Sequence, residues 1–87
     1  MKHGIFAVLD AAAGCYSKPF FMPNVAVAVR TFSDEVNRSD PQNNLFVHPG
    51  DFSLCELGEF DDVNGSFELL ERPQTVAQAK SLKRELN

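Results

Sequence analysis

A short stretch in the first third of the chain combines aromatic and basic residues of the kinds that single-stranded nucleic acid binding uses. Phe20 and Phe21 are adjacent, Lys18 precedes them and Arg30 follows. Aromatic rings stack on bases and cations contact phosphates, and neither interaction requires a fixed base sequence. When two adjacent rings follow a strand, at least one of them usually packs in the core and cannot stack on a base. The set therefore predicts a nucleic-acid site of modest affinity.

The last part of the chain carries a second group of cations. Lys80, Lys83 and Arg84 are spaced at i, i+3 and i+4, which places them on one face of a helix. They fit phosphate contact, a solvated helix face, or pairing with the segment from residue 51 to 71, which holds seven acidic residues and no basic one. With three or four phosphate contacts, the slope of log affinity against log salt is expected at about −2 to −3.

Residue types that catalysis or metal binding would need are present without the required spacing. His48, Asp51 and Cys15 match no nucleophile motif, so the residues around His48 are interpreted as a turn. Four acidic residues near residue 60 lack a calcium-loop spacing and are interpreted as a solvated hairpin rim; they are Glu56, Glu59, Asp61 and Asp62. The two histidines and two cysteines lack zinc-finger spacing. No enzyme activity, cofactor or metal is predicted.

The remaining composition indicates a small globular protein. The chain has 87 residues, 44% of them hydrophobic, and a formal net charge of −4. No run reaches the roughly 20 apolar residues of a membrane helix, and Asp10 interrupts the apolar start, so a strand in a cytoplasmic protein is expected instead of a signal peptide. Cys15 and Cys55 are expected to be free thiols. A core this small makes a homodimer or higher oligomer a reasonable expectation.

The first half of the chain predicts a hairpin and a helix. His3–Asp10 is rich in apolar strand formers, and Cys15–Phe21 follows as a second strand in which Pro19 marks an edge or a bulge. The run Val25–Val29 alternates like a strand, but a helical stripe persists over three turns. A helix from about Val25 to Asn37 is therefore predicted, with its packed face formed by Val25, Val29, Phe32 and Val36.

The second half predicts another hairpin and a terminal helix. A long polar loop over 38–50 ends in Pro49-Gly50, which suits a type II turn. Phe52–Phe60 and Ser66–Glu71 flank Asn64-Gly65, the strongest hairpin signal in the chain. Pro73 is expected to stop the second strand, and residues 74–87 to form a C-terminal helix, extending to about Leu86, that docks through a thin apolar stripe. The stripe contains Val76, Ala79, Leu82 or Lys83, and Leu86.

These elements predict one α+β domain over residues 1–87. The order β-β-α-β-β-α corresponds to an antiparallel sheet of about four strands, with one helix packed across it and a short C-terminal helix.

Three segments carry a resemblance to a known family. In one-letter code, with x for positions outside the pattern, they are AVRxFSDxVN at 28–37, HPxDFxL at 48–54 and LGEFDDxxG at 57–65. Their order and spacing resemble the nonstructural proteins of gokushoviruses (Microviridae), the phage ORF5-type family. Members are commonly labelled DNA-binding, by analogy with a microvirus protein that switches replication from duplex to single strands.

The resemblance implies an accessory protein that is absent from the virion and lies in the cytoplasm of the infected bacterium. There it would bind single-stranded DNA and assist viral DNA replication or the switch to single-strand synthesis. The acidic sequence pI of 4.9 does not fit a DNA-binding role, because neutralisation of phosphates by cations drives most nucleic-acid binding. The alternative is a homodimeric protein-interaction module that binds no DNA and acts on phage replication proteins, capsid proteins or host proteins.

Overall fold

A curled antiparallel sheet with one helix laid across it organises the chain, and the structure, a computed structural model, describes residues 1–84. The α+β class is confirmed. The strands are β1 (Lys2–Asp10), β2 (Cys15–Tyr16), β3 (Phe20–Met22), β4 (Phe52–Asp61) and β5 (Ser66–Gln78), and the helices are α1 (Val25–Val36), α2 (Asn44–Val47) and α3 (Ala79–Leu82). Among residues 1–84, no helix is long and apolar enough to cross a membrane.

Strand β1 lies at the centre of the sheet, because it pairs with β4 on one side and with both β2 and β3 on the other. Its middle residues, Ile5, Phe6 and Ala7, are buried. The single strand predicted over Cys15–Phe21 is two short strands instead, because residues 17–19, which include Pro19, lie outside the ladder. Ser17 bridges the gap, since its hydroxyl accepts a hydrogen bond from the Val8 N–H at 2.9 Å and its own N–H donates to the Val8 carbonyl at 2.7 Å.

Helix α1 is capped at both ends by asparagine side chains. The Val27 N–H donates to Oδ1 of Asn24 at 2.9 Å, which satisfies a donor that the first turn leaves unpaired. At the other end, Nδ2 of Asn37 donates to the carbonyls of Ser33 and Leu82. The predicted helix is thereby confirmed, and its C-terminal cap also fixes the last described residues against it.

The packed face of α1 differs from the prediction at two positions, since Val25 is left out and Ala28 is added. Ala28, Phe32 and Val36 are the buried residues, while Val29 packs partly and Val25 is 37% exposed. The spacing i, i+4 and i+8 forms a single stripe along the helix. Ala28 belongs to the core, packed with Phe6 and Leu54. The sequence pattern was therefore wrong for Val25, because it favoured the large side chain over the small one.

Strand β5 continues past Pro73, contrary to the expectation that proline would stop it. Glu56 pairs with Gln74 and Gly58 pairs with Leu69, so residues 70–73 bulge out of the ladder. Proline is tolerated in a bulge because no ladder hydrogen bond needs its missing N–H. Residues 74–78 are consequently strand, and α3 covers only Ala79–Leu82. The remainder of the predicted terminal helix, including Leu86, lies outside the described residues.

The segment between α1 and β4 is more ordered than the predicted loop. Asn43 is buried and holds it, because Nδ2 donates to the carbonyls of Glu35 and Arg38 at 2.8 and 3.0 Å. The predicted type II turn was wrong, since Gly50 has no positive φ. Pro49–Asp51 forms a 3-10 turn instead, in which the Asp51 N–H donates to the His48 carbonyl at 3.1 Å.

Candidate nucleic-acid interface

Four rings lie together on the face of the sheet that α1 does not cover. The ring of Phe60 is central, with ring centroids 4.9 Å from Phe67, 6.1 Å from Phe21 and 6.5 Å from His3. Phe21 is 53% exposed and Phe67 is 59% exposed. We call this group, His3, Phe21, Phe60 and Phe67, the outer aromatic cluster. His3, Phe21 and Phe60 also border an open depression of about 300 Å³.

The register of the strands explains why these rings meet. His3 pairs with Phe60, and Phe60 pairs with Phe67, so three neighbouring strands present rings side by side. Phe21 reaches the same face from β3, one position from Phe20. Because successive side chains of a strand point to opposite faces, Phe20 faces the core that α1 covers while Phe21 faces outward.

Two carboxylates near the cluster have cationic partners. Asp62 accepts hydrogen bonds from the Met1 amine at 2.7 Å and from His3 Nε2 at 2.8 Å. The bond from the amine, and then the bond from His3, hold the pKa of Asp62 below its ordinary value. Lys2 lies 3.5 Å from Glu68. These contacts offset part of the negative charge that borders the rings.

The pairing of Asp62 predicts a contribution to stability that acid removes. Because its pKa is lower in the folded protein, the ionised carboxylate stabilises the fold above its ordinary pKa of 3.8. This contribution is lost as the pH falls through the lowered folded-state value. The difference in melting temperature between wild type and Asp62→Asn should therefore be present near neutrality and vanish in acid.

The measurement is thermal unfolding of both proteins from roughly pH 7 to pH 2. Glu71→Gln is the control, since Glu71 joins no ion pair within residues 1–84. A wild-type to Asp62→Asn difference that stays constant down to the acid limit would contradict the assignment.

The residues predicted for the first basic and aromatic group separate in the structure. Phe20 is partly buried against the core, where its ring stacks on Phe6 with centroids 6.3 Å apart. Phe21 joins the outer aromatic cluster. Lys18 is exposed in the link between β2 and β3, and Arg30 is exposed on α1, the helix on the opposite side of the sheet.

The basic residues of the tail lie beside the helices, away from the rings. Nζ of Lys83 is 3.7 Å from the centroid of the Phe46 ring and donates to the Phe46 carbonyl at 3.2 Å. The Arg84 N–H donates to Oδ1 of Asn37 at 2.7 Å. Lys80 is exposed. Within residues 1–84, no ion pair joins these cations to the acidic segment 51–71.

The other candidates for chemistry occupy structural positions. His48 and Asp51 belong to the 3-10 turn, and the Asp51 carbonyl accepts a hydrogen bond from the Ala11 N–H at 2.8 Å. Cys15 is exposed and Cys55 is buried, and both are free thiols as predicted. In the described part of the chain, no three His, Cys, Asp or Glu side chains are placed to share a metal ion.

Sequence reasoning missed three members of the outer aromatic cluster. Phe60 and Phe67 flank the Asn64-Gly65 turn, and a hairpin register that sets them opposite each other could have been written from the sequence. His3 is brought to them only by the long-range pairing of β1 with β4, for which the sequence carries no local signal.

Comparisons with known proteins give one family. A family model described as "Phage ORF5 protein" matches residues 3–82. A curated relative, "Protein ORF5" of Chlamydia phage 1, is 34% identical over 64 residues, which cover 71% of this chain and 67% of the relative. No solved structure matches.

Proposed function

Because the chain belongs to the phage ORF5 protein family, and is therefore a phage protein as its sequence resemblance indicated, we propose that it binds single-stranded DNA as a nonstructural accessory protein. In this role it works in the cytoplasm of the infected bacterium, outside the virion, and has no catalytic activity. It assists viral DNA replication or the switch to single-strand synthesis. The observation that carries the proposal is the outer aromatic cluster.

The cluster supports this role because it offers ring faces on an uncovered sheet. Phe21, Phe60 and Phe67 come from three different strands, so the rings form a row across the strand direction. Stacking of bases on such rings tolerates any base sequence, since every base has a π face. A flexible single strand can splay its bases onto the row, whereas paired bases are held inside the duplex. The site therefore favours single strands.

The first prediction of this proposal concerns the exposed rings. Phe21→Ala and Phe67→Ala should each weaken binding by roughly 5- to 150-fold, because stacking on an aromatic ring contributes about 1–3 kcal/mol per base. Fluorescence anisotropy of a labelled oligothymidylate measures the effect, after melting curves have shown that each variant is folded.

Tyr16 provides the matched control for those variants. Its ring is also exposed, but it lies in β2 opposite Leu9, at the far end of β1 from His3. Tyr16→Ala should bind like wild type. Equal affinities for wild type, Phe21→Ala and Phe67→Ala would contradict the stacking site.

The second prediction concerns salt. The cations in or beside the strands of the cluster are Lys2, Lys18 and Arg72, and Lys2 is already close to Glu68. Each phosphate contact on a single strand adds about −0.7 to the slope of log affinity against log salt, so one or two contacts give a slope of about −0.7 to −1.4. This is shallower than the slope that the sequence suggested with the tail included.

The tail supplies the control for the salt series. Charge reversal at Lys80 and Arg84 should leave the slope unchanged, because the tail packs beside the helices. Charge reversal at Lys18 should reduce the slope. If the tail variant instead flattens the slope, the phosphate contacts belong to the tail and the cluster is not the main site.

The alternative function is a homodimeric protein-interaction module that acts on phage replication proteins, capsid proteins or host proteins. It is favoured by the exposed apolar side chains Phe21, Phe67 and Leu69, which are bordered by acidic residues. Rings on an uncovered face also suit a protein partner. Absence of binding to single-stranded DNA at low salt would reject the DNA proposal and leave this alternative.

A further inference from the structure

The outer edge of β5 presents a short, regular stretch of unpaired backbone. β5 is the last strand of the sheet, and Ser66–Leu69 pair in uninterrupted register with β4. Within residues 1–84, the backbone groups of this stretch that point away from β4 have no backbone partner. An edge of this kind is a template on which another strand can pair.

The bulge and the proline that discourage pairing lie beyond this stretch, and Glu68 is the one charged residue within it. Residues 70–73 bulge out of the ladder and include Pro73, and both a bulge and a proline blunt an edge strand. By contrast, Phe67 and Leu69 are apolar, and Leu69 is 66% exposed. The edge is thus open over a few residues and closed beyond them, which limits the possible registers of a partner strand.

We propose that two copies of the chain pair β5 with β5 in antiparallel fashion, about a two-fold axis at Phe67. The axis is perpendicular to the sheet, so each residue faces one that presents its side chain on the same side. An axis at Glu68 would set two carboxylates opposite each other, which destabilises a pair of strands. An axis at Leu69 would run into the bulge, and one at Ser66 would run into the turn before it.

With the axis at Phe67, the pairing is self-complementary. Phe67 faces Phe67 of the second copy, and aromatic pairs across strands stabilise a sheet. Glu68 faces Ser66 of the second copy and retains Lys2 of its own chain at 3.5 Å. A second copy therefore fits this edge, since the partner need not supply a positive charge opposite Glu68. The new strand ladder would also add stability to a chain whose own core is small.

The dimer would join two outer aromatic clusters into one face. Since Phe67 is the ring nearest the edge of β5, the row of rings would continue from one copy into the other. The use of this longer row to stack successive bases rests on the proposed DNA binding, whereas the pairing of β5 with β5 does not. The two can fail separately, because the oligomeric state is measured without DNA.

The first test is sedimentation at micromolar concentration of wild type, Glu68→Pro and Leu69→Pro. Wild type should have twice the chain mass of 9.6 kDa. Successive N–H groups of a strand point to opposite edges. One of the two proline variants therefore loses an N–H that points towards β4, and the other loses only an N–H that points outward. The second variant should remain folded, since its pairing with β4 is intact. That folded variant should sediment as a single chain. A monomeric wild type, or a folded proline variant that is still dimeric, would overturn the proposal.

The second test fixes the register and does not depend on the proline variants. Ser66→Cys and Glu68→Cys are made in a Cys15→Ser background, which leaves only buried Cys55 as a native thiol. Under mild oxidation, a mixture of the two variants should give several-fold more covalent dimer than either variant alone. Equal yields in the three samples, or no covalent dimer in the mixture, would overturn the pairing at Phe67.

Discussion

Phe32→Ala should destabilise the protein by about 3–5 kcal/mol. Phe32 is the largest buried side chain of α1, and its ring belongs to the core that contains Phe6 and Leu54. Removal of the ring leaves a cavity that a small, close-packed core can only partly fill. Because a chain of this length has a total stability of roughly 4–13 kcal/mol, the substitution removes a substantial part of it, and the melting temperature should fall clearly.

Val25→Ala is the matched control for this experiment, because it shortens a side chain on the same helix. Val25 is partly exposed at the start of α1, so its replacement should cost less than about 1 kcal/mol. Thermal and urea unfolding of both variants measure the contrast. Equal losses would show that the sequence-predicted face, which includes Val25, is the packed one. An unchanged melting temperature for Phe32→Ala would reject the helix packing altogether.

Gly58→Ala should also destabilise the protein strongly, by about 2–5 kcal/mol. Gly58 has φ of +152°, a backbone conformation that costs other residues about 1–3 kcal/mol. A Cβ at this position would lie 2.4 Å from the carbonyl oxygen of Glu68 and 2.7 Å from Cα of Leu69. Since both atoms belong to the backbone of β5, the strands must move apart, and overpacking of this kind adds a similar cost.

Gly50→Ala is the corresponding control and also tests the turn after α2. Gly50 has ordinary φ, and a Cβ there would meet no atom within 4 Å. The substitution should be neutral or stabilise by about 0.4–1 kcal/mol, through reduced freedom of the unfolded chain. A type II turn at Pro49-Gly50 would require positive φ at Gly50, so destabilisation by alanine would restore that prediction. If Gly58→Ala is as stable as wild type, the close approach of β4 and β5 at this position is contradicted.

The parts of the fold that local chemistry specifies were predictable from the sequence. Asn24 as a cap fixed the start of α1, and Asn64-Gly65 fixed the hairpin between β4 and β5. The continuation of β5 past Pro73 was not predictable, because it depends on a bulge in which β4 offers no partner to residues 70–73. Proline ends a strand only at a position where the ladder needs a backbone N–H, and the sequence does not reveal which positions lie outside the ladder.

In the candidate site too, residues with a local signal could be predicted from the sequence, and residues placed by long-range strand pairing could not. Phe20 and Phe21 were both identified from residue type alone, and at least one of the two rings was expected in the core; the ring that packs there is Phe20. His3 could not be found, since its contact with Phe60 depends on strands far apart in the chain. Spacing offered the tail cations as a second group for phosphate contact, and in the structure Lys83 packs on Phe46 beside the helices.

The central position of β1 has a consequence for the way the chain folds as it is synthesised. β1 runs from Lys2 to Asp10, but its main partner runs from Phe52 to Asp61, and Lys2 pairs with Asp61. Contacts between such distant residues close long loops, which slows folding. A nascent chain that has reached only α1 can pair β1 with the short strands β2 and β3 and nothing more. The sheet therefore closes late, after β4 has left the ribosome, and until then the apolar strand β1 needs protection from other chains.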